Sequence, residues 1–154
     1  MRIAVVCARF NGEVTGALLT GALAALEQAC VDRNDITVVW VPGSLELPLV
    51  AQALCSAGRV DAVVCLGAVV RGETAHFDLV AQGAAQGIAR VNLDCGVPVI
   101  FGVLATENIE QAKARSLPDE TNKGREAALG AVAMASVLRS LPQTLGPRHP
   151  GARC

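Results

Sequence analysis

Short runs of β-branched apolar residues alternate with longer segments of helical period, and that alternation decides the fold class. Arg2–Ala8, continuously apolar from Ile3 onward, reads as a buried strand. Ile36–Val41, Val60–Leu66 and Val97–Val103 read as three more. Between the first two lies a helix, Glu13–Cys30, whose apolar stripe is Leu19, Ala22, Leu23, Leu26 and Cys30. Pro42-Gly43-Ser44 forms a turn that caps a helix over Leu45–Ala57, with Pro48 tolerated in its first turns. Gly67–Thr74 reads as a loop, and His76 to Asp94 as a helix ended by Gly96. Thr106 is the expected N-cap of a further helix, with Glu107 and Glu110 in its first turn, fading near Arg115. The last helix spans Asn122–Leu141, with the stripe Ala128, Ala131, Val132, Ala135 and Leu138. Strands joined by helices must pair in parallel through right-handed crossovers. The expected architecture is a three-layer α/β/α sandwich around a four-stranded parallel sheet. There is no internal repeat and no linker. Residues 1–141 read as one domain, and 142–154, with three prolines and two glycines, as a disordered tail.

Composition narrows the function classes. A chain of 154 residues, 52% of them apolar, suits a single domain with its own core. Only 18% are charged and the net charge is −1, which excludes a basic nucleic-acid binder. No apolar run approaches the roughly 18 residues of a membrane span. Mean hydropathy is nevertheless +0.43, so apolar surface is expected to be buried in an oligomer. The six cysteines form no C-x-x-C pair, and neither His76 nor His149 completes a zinc set, so no metal is expected. They read as core thiols of a protein of the reducing cytoplasm, because Ile3–Ala8 is too short for a signal peptide.

Parallel sheets of this kind bind ligands beyond the carboxyl ends of their strands. Those segments carry Arg9-Phe10-Asn11, Pro42 to Glu46, Gly67 to His76, and Thr106-Glu107. Each also has a plain structural reading: Phe10 as a core plug, Pro-Gly-Ser as a turn, Arg71 as a solvated charge, and Glu46 as a helix-dipole partner. His76 stands apart, being one of two histidines and lying on a ligand-facing segment near Glu73, Thr74 and Asp78. A second cluster, Arg115 with Asn122-Lys123-Gly124-Arg125, reads either as a capped, charged loop or as a cationic patch for a phosphate or polyol.

In order and spacing, six motifs resemble the 6,7-dimethyl-8-ribityllumazine synthase family. They are Arg9-Phe10-Asn11, Val41 to Pro48, Gly67 to Phe77, Pro98 to Leu104, Thr106 to Ala112, and Asn122-Lys123-Gly124. The resemblance covers residues 1–140. It implies a flavodoxin-like fold. It also implies a transferase without cofactor that condenses 5-amino-6-(ribitylamino)uracil with 3,4-dihydroxy-2-butanone 4-phosphate. It further implies a homopentamer with the active site between subunits, and in some members twelve such pentamers form a 60-subunit shell. Carried over by motif, Phe10 stacks on the pyrimidine, and Ser44, Leu45 and Glu46 line the ribityl site. Ala68, Val69 and Val70 meet the pyrimidine edge through their backbone. Glu73, Thr74 and Arg115 bind phosphate, and His76 transfers protons. Phe101, Arg115 and Lys123 come from the interface. Like charges repel by about 4 kcal/mol at 4 Å with an effective dielectric of 20, so Glu73 is expected to offer its backbone N–H and turn its carboxylate away. A flavodoxin would carry a Gly-rich phosphate loop after its first strand, where this chain has Arg9-Phe10-Asn11-Gly12-Glu13. The archaeal-type riboflavin synthase shares the fold, but the motif order and Arg115 argue against it.

Overall fold

The computed structural model describes residues 1–144. Four parallel strands, β1 (Ile3–Ala8), β2 (Ile36–Val41), β3 (Ala62–Val70) and β4 (Val99–Thr106), form one sheet in the order β2-β1-β3-β4. The helices are α1 (Gly12–Gln28), α2 (Leu47–Ser56), α3 (His76–Cys95), the short α4 (Ile109–Ala114) and α5 (Lys123–Thr144). Alternation along β1 divides the core. Ile3, Val5 and Cys7 pack with α1 and α5, whereas Ala4, Val6 and Ala8 pack with α2 and α3. All six residues are buried, as a central strand covered on both faces requires. The result is the three-layer α/β/α sandwich. Among the described residues no helix is long and apolar enough to cross a membrane.

Several boundaries differ from the sequence reading, each for a packing reason. Gly67–Val70, read as loop, continues β3, and β4 likewise runs on to Thr106, so that Gly67 to Val70 pair with Val103 to Thr106. Gly67 earns its place by close approach: a methyl there would lie 2.4 Å from Ser44 Oγ. Thr106 ends the strand and does not cap α4. Asn108 does, its Oδ1 accepting from Gln111 N–H at 2.9 Å, while the Gln111 side chain accepts from Glu107 N–H. Glu107 therefore precedes the helix. Ser44 does not cap α2; Ser44–Glu46 form a 3-10 turn ahead of it, with Pro48 in the first turn as expected.

The buried stripe of α1 is Val14, Leu18, Ala22, Ala25 and Leu26, rotated from the one read from sequence. Cys30 is exposed beyond the helix end, at φ 59°. In α5, Ala128, Ala131 and Ala135 are buried, but Leu138 is exposed. That helix continues past Leu141 to Thr144, and the remainder of the expected tail lies outside the described residues.

Candidate active site

The strand order turns back between β1 and β3, and a recess of about 420 Å³ opens at that switch point. Its walls come from the carboxyl ends of three strands and the start of α3. Phe10 and Asn11 follow β1, Pro42 to Glu46 follow β2, and Ala68 to Val70 end β3. Gly72, Thr74, His76, Phe77 and Val80 complete it. The backbone that carries Phe10 is fixed by two bonds to the neighbouring loop, Arg9 N–H to Val41 O at 2.8 Å and Phe10 N–H to Pro42 O at 3.1 Å. The ring is 73% exposed, so it is not a core plug. Asn11 sits in the left-handed region at φ 56°, and its side-chain amide donates to Ala68 O at 2.8 Å, tying this turn to β3.

Ser44 is buried against β3, and Leu45 is exposed at the lip. A methyl on Gly43 would lie 3.0 Å from Glu46 Oε2, so the carboxylate folds back over that turn. His76 is the first residue of α3, its backbone N–H donating to Thr74 Oγ1 at 3.4 Å. Arg71, read as a solvated charge, instead locks the start of α3. Its guanidinium stacks on Phe77 at 4.3 Å, and pairs with Glu107 at 2.8 Å and Asp78 at 3.4 Å. The hydrogen bond to Asp78 raises its pKa further above the ordinary arginine value. Glu73 is exposed and does not line the recess.

Phe101, Arg115 and Lys123 lie elsewhere. They line a second recess of about 430 Å³ along β4 and the start of α5, which shares no lining residue with the first. Here the Arg115 guanidinium donates to Gln111 O at 3.0 Å, and its backbone carbonyl accepts from Lys123 N–H at 2.9 Å. The Lys123 ammonium pairs with Glu126. The chain thus presents an aromatic and imidazole-bearing recess, suited to a planar heterocycle, and a separate cationic one, suited to an anion.

Sequence reasoning placed Asn11 in a ligand-facing segment without giving it a role, and missed Phe77 and Val80 as wall residues. The Asn-Gly pair after a strand signals a left-handed turn, and Phe77 adjoins His76. Among the described residues no thiol lines either recess. Burial pushes Cys7 and Cys55 up to about 11 and Cys65 up to about 12, which keeps them protonated. A family model described as 6,7-dimethyl-8-ribityllumazine synthase matches residues 1–139.

Proposed function

The chain belongs to the 6,7-dimethyl-8-ribityllumazine synthase family, and from that premise we propose how its two recesses divide the work. The reaction is a transferase step of riboflavin biosynthesis. It joins 5-amino-6-(ribitylamino)uracil to 3,4-dihydroxy-2-butanone 4-phosphate and releases phosphate and two molecules of water.

In this reading the first recess takes the uracil. Phe10 stacks on the pyrimidine, the backbone of Ala68, Val69 and Val70 faces its edge, and Ser44, Leu45 and Glu46 hold the ribityl chain. The exposed ring at the mouth of the recess supports this, because its apolar face gains by being covered. The amine attacks the ketone carbon and water leaves, giving an imine; phosphate is then eliminated, the resulting enol becomes a ketone, and the second amine attacks that carbonyl, so that a second water leaves as the ring closes. His76 moves protons in these steps, since an imidazole both gives and takes near neutral pH. Thr74, the Glu73 N–H and Arg115 hold the phosphate, with Lys123 beside them and Phe101 as a wall. Both reactants are already reactive, so holding them in register supplies most of the acceleration.

One observation carries the division: Phe101, Arg115 and Lys123 line a recess separate from that of His76 and Phe10. A site that needs both is completed by a neighbouring copy, and a ring of five such copies closes it. Exposed apolar side chains on several elements support burial between copies, among them Trp40, Phe101, Leu129, Met134 and Val137. The compartment in this reading is the cytoplasm, in keeping with the free thiols. Replacing Arg115 by Ala should weaken binding of the butanone phosphate by roughly 1.5–3 kcal/mol, the value of a hydrogen bond to a charged group. Its KM should rise accordingly, with that of the uracil substrate unchanged. An unchanged KM for the phosphate substrate would remove Arg115 from the site.

A further inference from the structure

Arg115 and Lys123 are separated by an irregular segment that is mostly exposed, yet one side chain within it is almost fully enclosed. Asn122 is 1% exposed. Its Nδ2 shares two hydrogens among three carbonyls, Ala17 O in α1 at 3.3 Å, Ser116 O at 3.0 Å and Leu117 O at 2.9 Å. Its Oδ1 accepts from Gly124 N–H at 2.9 Å and Arg125 N–H at 3.1 Å. The surroundings are shaped around this amide. A methyl on Gly21 of α1 would lie 2.3 Å from Asn122 Oδ1, and one on Gly124 would lie 2.0 Å from Leu18 O. One amide therefore joins α1, the segment after α4 and the first turn of α5. Its two neighbours in the chain's cationic cluster are coupled through the backbone, Lys123 N–H donating to Arg115 O at 2.9 Å.

We propose that Asn122 is a positioning residue for the anion site, pinning the 115–122 segment to α1 so that Arg115 and Lys123 are held at a fixed separation. The inference rests on the reading of those two side chains as phosphate ligands. The physical need is plain. Two cations repel each other and their long side chains lose entropy on binding, so an anion gains most where the backbone carrying them is already fixed. A helix cap alone would need only the Oδ1 acceptor; the two hydrogens of Nδ2, shared among three carbonyls, go beyond capping.

Asn122→Ser separates the two roles, because a serine oxygen still caps α5 while the Nδ2 bonds are lost. Steady-state kinetics with each substrate varied, and inhibition by inorganic phosphate, read the result in the folded, assembled enzyme. The expected outcome is a KM for the butanone phosphate, and a phosphate inhibition constant, each raised about tenfold, the size of one net hydrogen bond. The KM for the uracil substrate should be unchanged. Gly21→Ala, which pushes on the same amide from outside either recess, should give the same split. Both KM values moving together, or neither moving in both folded variants, would overturn the proposal. Arg115→Ala run alongside locates a failure. If it leaves phosphate inhibition unaltered, the anion-site reading falls and the proposal with it. If it weakens inhibition while Asn122→Ser and Gly21→Ala do not, the positioning role alone falls.

Discussion

Phe10 keeps 73% of its surface in solvent although the sheet beside it has apolar faces to offer. Its backbone bonds to Val41 and Pro42 hold it out at the strand ends, where, in the proposed reading, a planar ligand would cover it without reorganisation. His76 is likewise placed by its backbone, at the first turn of a long helix anchored by the Arg71 stack on Phe77. With alignment supplying most of the acceleration, His76→Ala should lower kcat by about 10²-fold or less, the lower end of acid–base contributions. Total loss of turnover with substrate binding intact would contradict that weighting. The buried thiols set a different limit. Their pKa values of about 11, 11 and 12 lie above the ordinary 9.0. Above pH 9 the unfolded chain releases these protons while the folded chain keeps them. The stability they contribute is therefore whole below pH 9 and is lost as pH rises towards 12. Denaturant midpoints measured from pH 8 to 11 should be level at first and then fall; a rise would reverse the sign. At this scale the sequence was informative where residues are scarce. His76 stood out by rarity and place, whereas Asn122 looked like an ordinary cap because its partners in α1 are distant along the chain.

The elements were legible in kind because their periods differ, two for strands and 3.6 for helices. Their ends were harder to read. Gly67 looked like a strand terminator by propensity, but the partner β4 pairs with β3 as far as Val70, and Ser44 fills the space that a side chain would take. The same contact gives a test of what holds the Ser44–Glu46 turn, proposed to meet the ribityl chain, in place. Gly67→Ala should force Ser44 away from β3 and cost about 1–3 kcal/mol of stability, as overpacking of a tight core does. It should also raise the KM for the uracil substrate, because Ser44 to Glu46 move as one turn. A stability change within experimental error in a thermal or chemical melt would show that the turn yields freely. In α1 the leucines misled the reading. Leu19 and Leu23 are only half-buried, because α5 comes close enough at Gly124 to seat the helix on Leu18 and Ala22.

Across the whole molecule, the strand order brings the ends of β1, β2 and β3 together and leaves β4 with α5 to build a second recess. The fold class followed from the βα alternation. That Arg115 and Lys123 would line a recess apart from His76 did not, because spacing along a chain carries no information about which face of a neighbour it meets. The apolar composition has its counterpart in the exposed Trp40, Phe101 and α5 side chains, surface that a ring of copies would cover. Two variants test that arrangement directly, one with His76→Ala and Arg115 intact, the other with Arg115→Ala and His76 intact. Each is purified, the two are dissociated and reassembled together at equal concentration, and activity is read at a butanone phosphate concentration well below the KM of the unmodified enzyme, where both variants are slow. If the site is shared between copies, about a quarter of the sites in a randomly mixed ring unite two intact halves, and activity should recover to about that fraction of the unmodified enzyme. Activity no higher than the average of the two separate variants, in particles shown by light scattering to be mixed and assembled, would mean that each chain carries its site alone.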